Sequence, residues 1–160
     1  MGAAYFLLSL LMAGSSAAAA PEAIGIFGQW GAFSENSKRC YAIAEPEGRA
    51  REGRPFASVG FWPGNQAGGQ LHLRLSRPKR AGSAILLTIG ERSFQLVGGG
   101  VNAWAPDPRA DAAIVAAMRG ALEMAVATRS EGGALIRDRY TLRGAPSAID
   151  AAALACATRR

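Results

Sequence analysis

Histidine is almost missing from this chain: His72 is the only one in 160 residues. Cysteine is nearly as scarce, with Cys40 and Cys156 alone, and no Cys-x-x-Cys pair that would mark an exchange-active thiol. A zinc site draws roughly four ligands from His, Cys and carboxylates. One histidine and two distant cysteines do not supply them, so neither a metal nor a cofactor is expected. Nucleophile–base catalysis would have to use His72 with a serine such as Ser58 or Ser76, and no Gly-x-Ser-x-Gly elbow is present. Gly98-Gly-Gly100 lacks the Lys-Ser/Thr that completes a phosphate-binding loop, and reads as a chain reversal. The available carboxylates pair poorly for glycoside chemistry: Glu45 and Glu47 fall in a charged turn, Asp107 and Asp111 at a helix start that favours negative charge anyway. An envelope hydrolase built on His72 or on paired carboxylates is the alternative reading. The first expectation is a protein that is not an enzyme.

Acidic residues are the next shortage, 12 against 18 Lys and Arg, for a formal charge of +6. Such a balance attracts anionic surfaces and polymers at long range and says nothing about fold. Long apolar runs are absent except at the N-terminus. There, residues 1–20 carry no charged side chain and hold an apolar core, Tyr5–Met12, running into Ala-Gly-Ser-Ser-Ala-Ala-Ala-Ala. An apolar stretch of that size leading into small residues is the pattern of a secretory signal peptide, too short to cross a bilayer comfortably. No Lys or Arg precedes the core, and Pro21 would hinder cleavage after Ala20, which favours Ala18 or Ala19. A retained anchor or a buried first helix are the alternatives. The expectation is a signal peptide over 1–20, a single domain over 21–160, a periplasmic or secreted location, and no transmembrane helix after cleavage. About 140 residues suffice for one core.

In an oxidising compartment the two cysteines favour a disulfide, whereas in the cytosol the same pair would more often be free thiols. Arg39–Ala44 reads as a strand with Cys40, Ala42 and Ala44 on one face. Pro146 opens a helix to about Ala157, on which Ile149, Ala152, Ala153 and Cys156 share one side. Cys156 therefore points into the body, and a structural Cys40–Cys156 bond would clamp the last helix to it.

Between these ends the chain alternates. Leu71, Leu73 and Leu75 face one way and His72, Arg74 and Ser76 the other, the mark of a half-buried antiparallel strand. Pro55–Pro63, Ala84–Ile89, Ser93–Val97, Leu122–Arg129 and Ala134–Arg143 read as further strands. In the last of these Asp138 interrupts the face shared by Ile136, Tyr140 and Leu142, while Arg137, Arg139 and Arg143 share the other. Trp104 falls in a short connection expected to bury its indole. Asp107-Pro108 starts a helix running to about Arg119, with Ala110, Ile114, Ala117 and Met118 on one face. About seven or eight short strands joined by tight turns, with two short helices of which the second is C-terminal, give a mostly β fold: an antiparallel β-sandwich or partial barrel.

The segments Phe27–Phe33, Arg39–Ala44, Ser58–Gly64, Leu75–Arg80, Phe94–Gly100, Asp111–Met118 and Tyr140–Gly144 together resemble the invasion-associated locus B family of proteobacterial exported proteins, in a divergent branch. The resemblance covers most of the chain after the leader. It implies a small β-sandwich-like protein in the periplasm or outside the cell, and brings no catalytic residue with it.

Basic residues are the remaining candidates for a site. Arg74, Arg77, Lys79 and Arg80 cluster at a strand end and turn, and Arg49, Arg51 and Arg54 load a second turn. Converging, they would form a patch for an anionic ligand. No motif with stacking aromatics points to nucleic acid. The expected partner is a protein or an anionic component of the cell envelope.

Overall fold

A computed structural model describes residues 20–36, 38–48, 53–64 and 68–158. Of the expected signal peptide over 1–20 all but Ala20, and the turn arginines Arg49 and Arg51, lie outside the described residues. Twelve elements follow one another as β1 (Glu22–Phe27), β2 (Trp30–Glu35), β3 (Arg39–Ala44), β4 (Phe56–Phe61), β5 (Gln70–Arg74), β6 (Ile85–Ile89), β7 (Arg92–Gly99), β8 (Asn102–Trp104), α1 (Pro108–Gly120), β9 (Glu123–Arg129), β10 (Leu135–Thr141) and α2 (Ala145–Ala157). The ten strands form one antiparallel sheet in the order β1-β2-β3-β4-β5-β8-β7-β6-β9-β10. The fold is thus mostly β with two helices, the second C-terminal, as the alternation implies. Two strands exceed the expected number: β2, where Gly31 masked the pattern, and β8, which is only three residues long.

The sheet curls so that its last strand returns toward the beginning. The Glu47 N–H donates to Arg139 O at 2.7 Å, and Trp30 Nε1 donates to Thr141 O at 2.9 Å. β1 and β10 do not pair, so the barrel stays open. Both helices pack on the inner side, α2 against β1–β4 and α1 against β5–β7. Alternation builds the core between them: Cys40, Ala42 and Ala44 from β3, Leu71 and Leu73 from β5, Ile85, Leu87 and Ile89 from β6, with Met118 and Ile149 from the helices, are all buried. Small residues on β3 let α2 approach closely.

The Cys40–Cys156 disulfide joins that helix to β3, spanning 116 residues of sequence. Gly144 makes the approach possible. It caps α2 at φ +87°, and a Cβ there would fall on the Phe27 carbonyl oxygen. Helix α1 begins as expected, with Asp107 accepting from Ala110 N–H at 2.8 Å and Pro108 in the first turn. Its buried stripe is Asp111, Ile114 and Met118; Ala110 is only half-buried.

Two buried carboxylates complete the sheet. β8 ends its ladder with β5 at the His72–Trp104 pair, leaving the Leu71 N–H beyond it without a strand partner on that side. Asp111 Oδ1 accepts that N–H at 2.8 Å. At the other end of β5, Asp138 Oδ2 accepts the Ser76 N–H at 2.9 Å. Asp138 is fully buried, which resolves the interruption seen on β10: the carboxylate belongs to the inner face because a backbone donor awaits it there.

Candidate functional site

The inner face is consumed by the core, so any site accessible on the sheet lies on its outer face. β5 presents Gln70, His72 and Arg74 outward, β4 presents Phe56 and Ser58, and β8 presents Asn102 and Trp104. Ser58 and Trp104 stand directly opposite His72 on its two neighbours. The His72 ring stacks on the Trp104 indole with centroids 5.2 Å apart and planes 7° from parallel. Phe56 meets it edge-on at 5.1 Å. His72 Nε2 lies 3.0 Å from Asn102 Oδ1. With the amide oxygen as acceptor, Nε2 carries the proton. Arg74 closes the group, its Nε donating to Gly53 O at 2.8 Å. Trp104 is 37 % exposed, which corrects the expected buried indole: β8 pairs with β5, and the pairing parity turns Trp104 to the same side as His72.

A second aromatic group lies two strands away. Phe33 on β2 stacks on Tyr41 of β3 at 5.8 Å. The Arg39 guanidinium carbon sits 4.6 Å from the centroid of the Tyr41 ring and 5.9 Å from that of Trp62. Trp62 folds back over Gly60, where a Cβ would stand 3.1 Å from the indole and would press the ring off the sheet by a few tenths of an ångström. Burial raises the Tyr41 hydroxyl above its ordinary value, the Glu35 carboxylate raises it further, and Arg39 opposes them.

The four basic residues of the expected patch differ in placement and burial. Arg74 belongs to the outer face of β5. Arg77 and Arg80 are exposed on the following loop, where Arg77 Nη2 donates to Leu135 O at 3.0 Å. Lys79 is buried, paired in a bridge with Ser130, and its Nζ donates to Arg80 O at 2.9 Å. The loop is tied inward by Lys79 N–H on Gly100 O and Arg80 N–H on Arg129 O. Exposed Arg137 and Arg139 project from the outer face of β10, as their spacing implies.

The candidate chemical groups are dispersed or committed. Ser58 is 1 % exposed and its Oγ faces His72 O at 3.5 Å, not the imidazole. Asp107 caps α1 and Asp111 holds β5; burial chiefly, and Asp107 to a lesser extent, raise the Asp111 carboxyl above the ordinary range, while the Leu71 hydrogen bond opposes them. Two surface hollows stand elsewhere. One of about 510 Å³ lies between the end of α1 and the β6–β7 turn, with Ile89, Ala117 and Leu122 in its wall. One of about 320 Å³ lies over Gly31, walled by Ile26, Phe33, Ile43 and Glu45. His72 lines neither. Among the described residues no group of three or more His, Cys, Asp or Glu is placed to hold a metal ion. No helix among them is long and apolar enough to cross a membrane.

Sequence reasoning missed both aromatic groups. The pairing of β5 with β8 skips two intervening strands, and no local signal announces it. The Arg39–Tyr41–Trp62 group was closer to legible, since Arg39 and Tyr41 share a strand face by simple alternation. No family model, no curated protein and no solved structure matches the chain.

Proposed function

We propose that the protein is an exported, non-enzymatic binding protein of the cell envelope that holds an anionic envelope component on the outer face of its sheet. The observation that carries this reading is the His72 cluster. Trp104, Phe56 and Asn102 fix the imidazole on an open face, with the Arg74 cation beside it. A ring fixed from three sides on a rigid strand suits recognition, because little side-chain freedom is lost when a ligand arrives. The excess of Lys and Arg adds long-range attraction for an anion. Export is supported by the apolar leader, and by the resemblance to the invasion-associated locus B family through the short segments named above.

The test immobilises phosphorylated glycolipid and acidic polysaccharide separately, with a neutral glycan as control, and measures retention at low salt. The wild-type protein is expected to be held by an anionic surface and not by the neutral one. The Arg74→Gln/Trp104→Ala variant is expected to lose about tenfold in affinity, in line with one charge-assisted contact and one stacking contact. Equal retention of this variant and wild type would overturn the reading.

A further inference from the structure

On the outer face of β3 and β5 two cations stand beside aromatic rings, apart from Arg137 and Arg139 on β10. Arg39 has Tyr41 and Trp62 against it; Arg74 belongs with Phe56, His72 and Trp104. The register fixes their relation. Tyr41 pairs with Gly60, which pairs with Gln70, and His72 lies two residues further along β5. Two strand spacings across and two residues along put the Tyr41 and His72 backbones about 12 Å apart, and those of Arg39 and Arg74, at the far sides of the two groups, about 22 Å apart.

From this arrangement we infer that the outer face is a two-station cleat for a single acidic polysaccharide chain, with Arg39–Trp62 as the station not yet assigned. The inference rests on the binding role proposed for the His72 face and names its ligand class. At each station an aromatic ring offers a flat apolar surface to the carbon face of a sugar, and the adjacent guanidinium takes a carboxylate. The Arg39 guanidinium is well suited to the second task. Its Nε is shielded from water and has no hydrogen-bond partner among the described residues, so one donor of the fork is open to a ligand carboxylate. Trp62 is 38 % exposed and Trp104 37 %, so both retain surface for a sugar ring.

Charge distribution selects the polymer. A single-stranded nucleic acid carries a phosphate at every unit and is held by a groove dense in cations. Here Glu35 stands opposite Arg39 in the β2–β3 register, and Glu45 borders the hollow beyond Phe33. A phosphate at every unit would set some of them against these carboxylates. A chain charged on only some of its sugars can set its carboxylates at the two arginines, with Glu35 weakening the Arg39 contact, and pass Glu45 with an uncharged sugar.

The experiment measures binding of uronic-acid oligosaccharides of increasing length by calorimetry and by tryptophan fluorescence, with single-stranded DNA as the competing polyanion. Of the three tryptophans, Trp30 is buried, so quenching reports Trp62 and Trp104. Affinity is expected to step up roughly ten- to a hundredfold once an oligomer is long enough to reach both stations. Arg39→Gln and, separately, Trp62→Phe should abolish the step and leave a length-independent affinity equal to that of short oligomers at the His72 station, while Arg74→Gln/Trp104→Ala should abolish the step and leave only the Arg39 station. A length step that persists in both variants overturns the inference and leaves the His72 reading standing. Wild-type protein that binds no oligomer of any length overturns it as well, and the glycolipid arm of the previous test then decides the reading beneath it. DNA bound more tightly than the longest oligomer overturns the choice of polymer.

Discussion

Removing the Cys40–Cys156 disulfide should lower stability by an amount set mainly by chain length. The bond closes a loop of 116 residues. In the chain-entropy model that closure removes about 16 cal/mol/K from the unfolded ensemble, or about 4.8 kcal/mol at 25 °C. For a domain of this size each kcal/mol moves the midpoint by about 4 °C, so Cys40→Ala/Cys156→Ala should melt roughly 15–20 °C below the oxidised protein. Alanine suits both positions sterically: Cys40 shares its inner face with Ala42 and Ala44, and Cys156 follows Ala152 on the buried side of α2. The assay is thermal and urea unfolding of the oxidised wild type, the reduced wild type and the double variant. The urea slope carries the mechanism. If the bond acts on the unfolded chain, its loss leaves that chain more open and the slope must rise. A local mechanism, in which α2 merely loosens from β3, would instead concentrate the loss in hydrogen exchange of Ala145–Ala157 with the slope unchanged. A midpoint drop below about 4 °C with no change in slope would refute the chain-entropy reasoning for this bond.

Two further predictions concern the interior. Asp111 is held above its ordinary value of 3.8 by burial first and by Asp107 second. Its folded form therefore binds a proton more tightly than the unfolded form, and stability must fall as pH rises from that ordinary value through the raised folded value. Asp111→Asn should flatten this slope in urea titrations at successive pH values while keeping an acceptor for Leu71 N–H; an unchanged slope would assign it to another group. Asp111→Ala leaves the buried amide without its partner and should cost about 1–3 kcal/mol at every pH. Gly144→Ala should be more severe, because the left-handed cap and the Phe27 carbonyl both exclude a Cβ. Destabilisation beyond about 3 kcal/mol by urea unfolding is expected, and a loss under about 1 kcal/mol would show that β1 can yield.

Much of the fold is legible in the sequence because burial is periodic. The alternation in Gln70–Arg74 names the inner residues correctly, that in Arg39–Ala44 separates the two faces, and the three- and four-residue spacing on α2 turns Cys156 inward, where it meets Cys40. Illegible parts share one cause, the dominance of non-local partners. Trp104 looked like a residue seeking an interior, but three residues of pairing with β5 set its side before its hydrophobicity could. Lys79 looked solvated, yet two backbone hydrogen bonds turn its loop inward and a neighbouring carbonyl takes its charge. Asp111 looked like a carboxylate answering a helix dipole. Its position three residues before Ile114 and seven before Met118 already put it on the apolar stripe, which is the signal that a buried donor waits opposite.

β5 is where folding and the proposed role meet. Its inner side contributes Leu71 and Leu73 to the core, and its outer side carries His72 and Arg74. Its ends are held by carboxylates from two later parts of the chain, Asp111 on α1 and Asp138 on β10. Both bonds are buried, so water does not compete for them, and each replaces a ladder contact that a short neighbouring strand fails to supply. The consequence is positional. A five-residue strand with free ends would fray, and the imidazole at its centre would follow. Pinned at both ends, the strand keeps His72 against Trp104 and Asn102 without help from a ligand. An open sheet face has no walls to enclose what it binds, so fixed side chains are the means it has of recognising one partner over another. The buried aspartates supply that fixity from beneath.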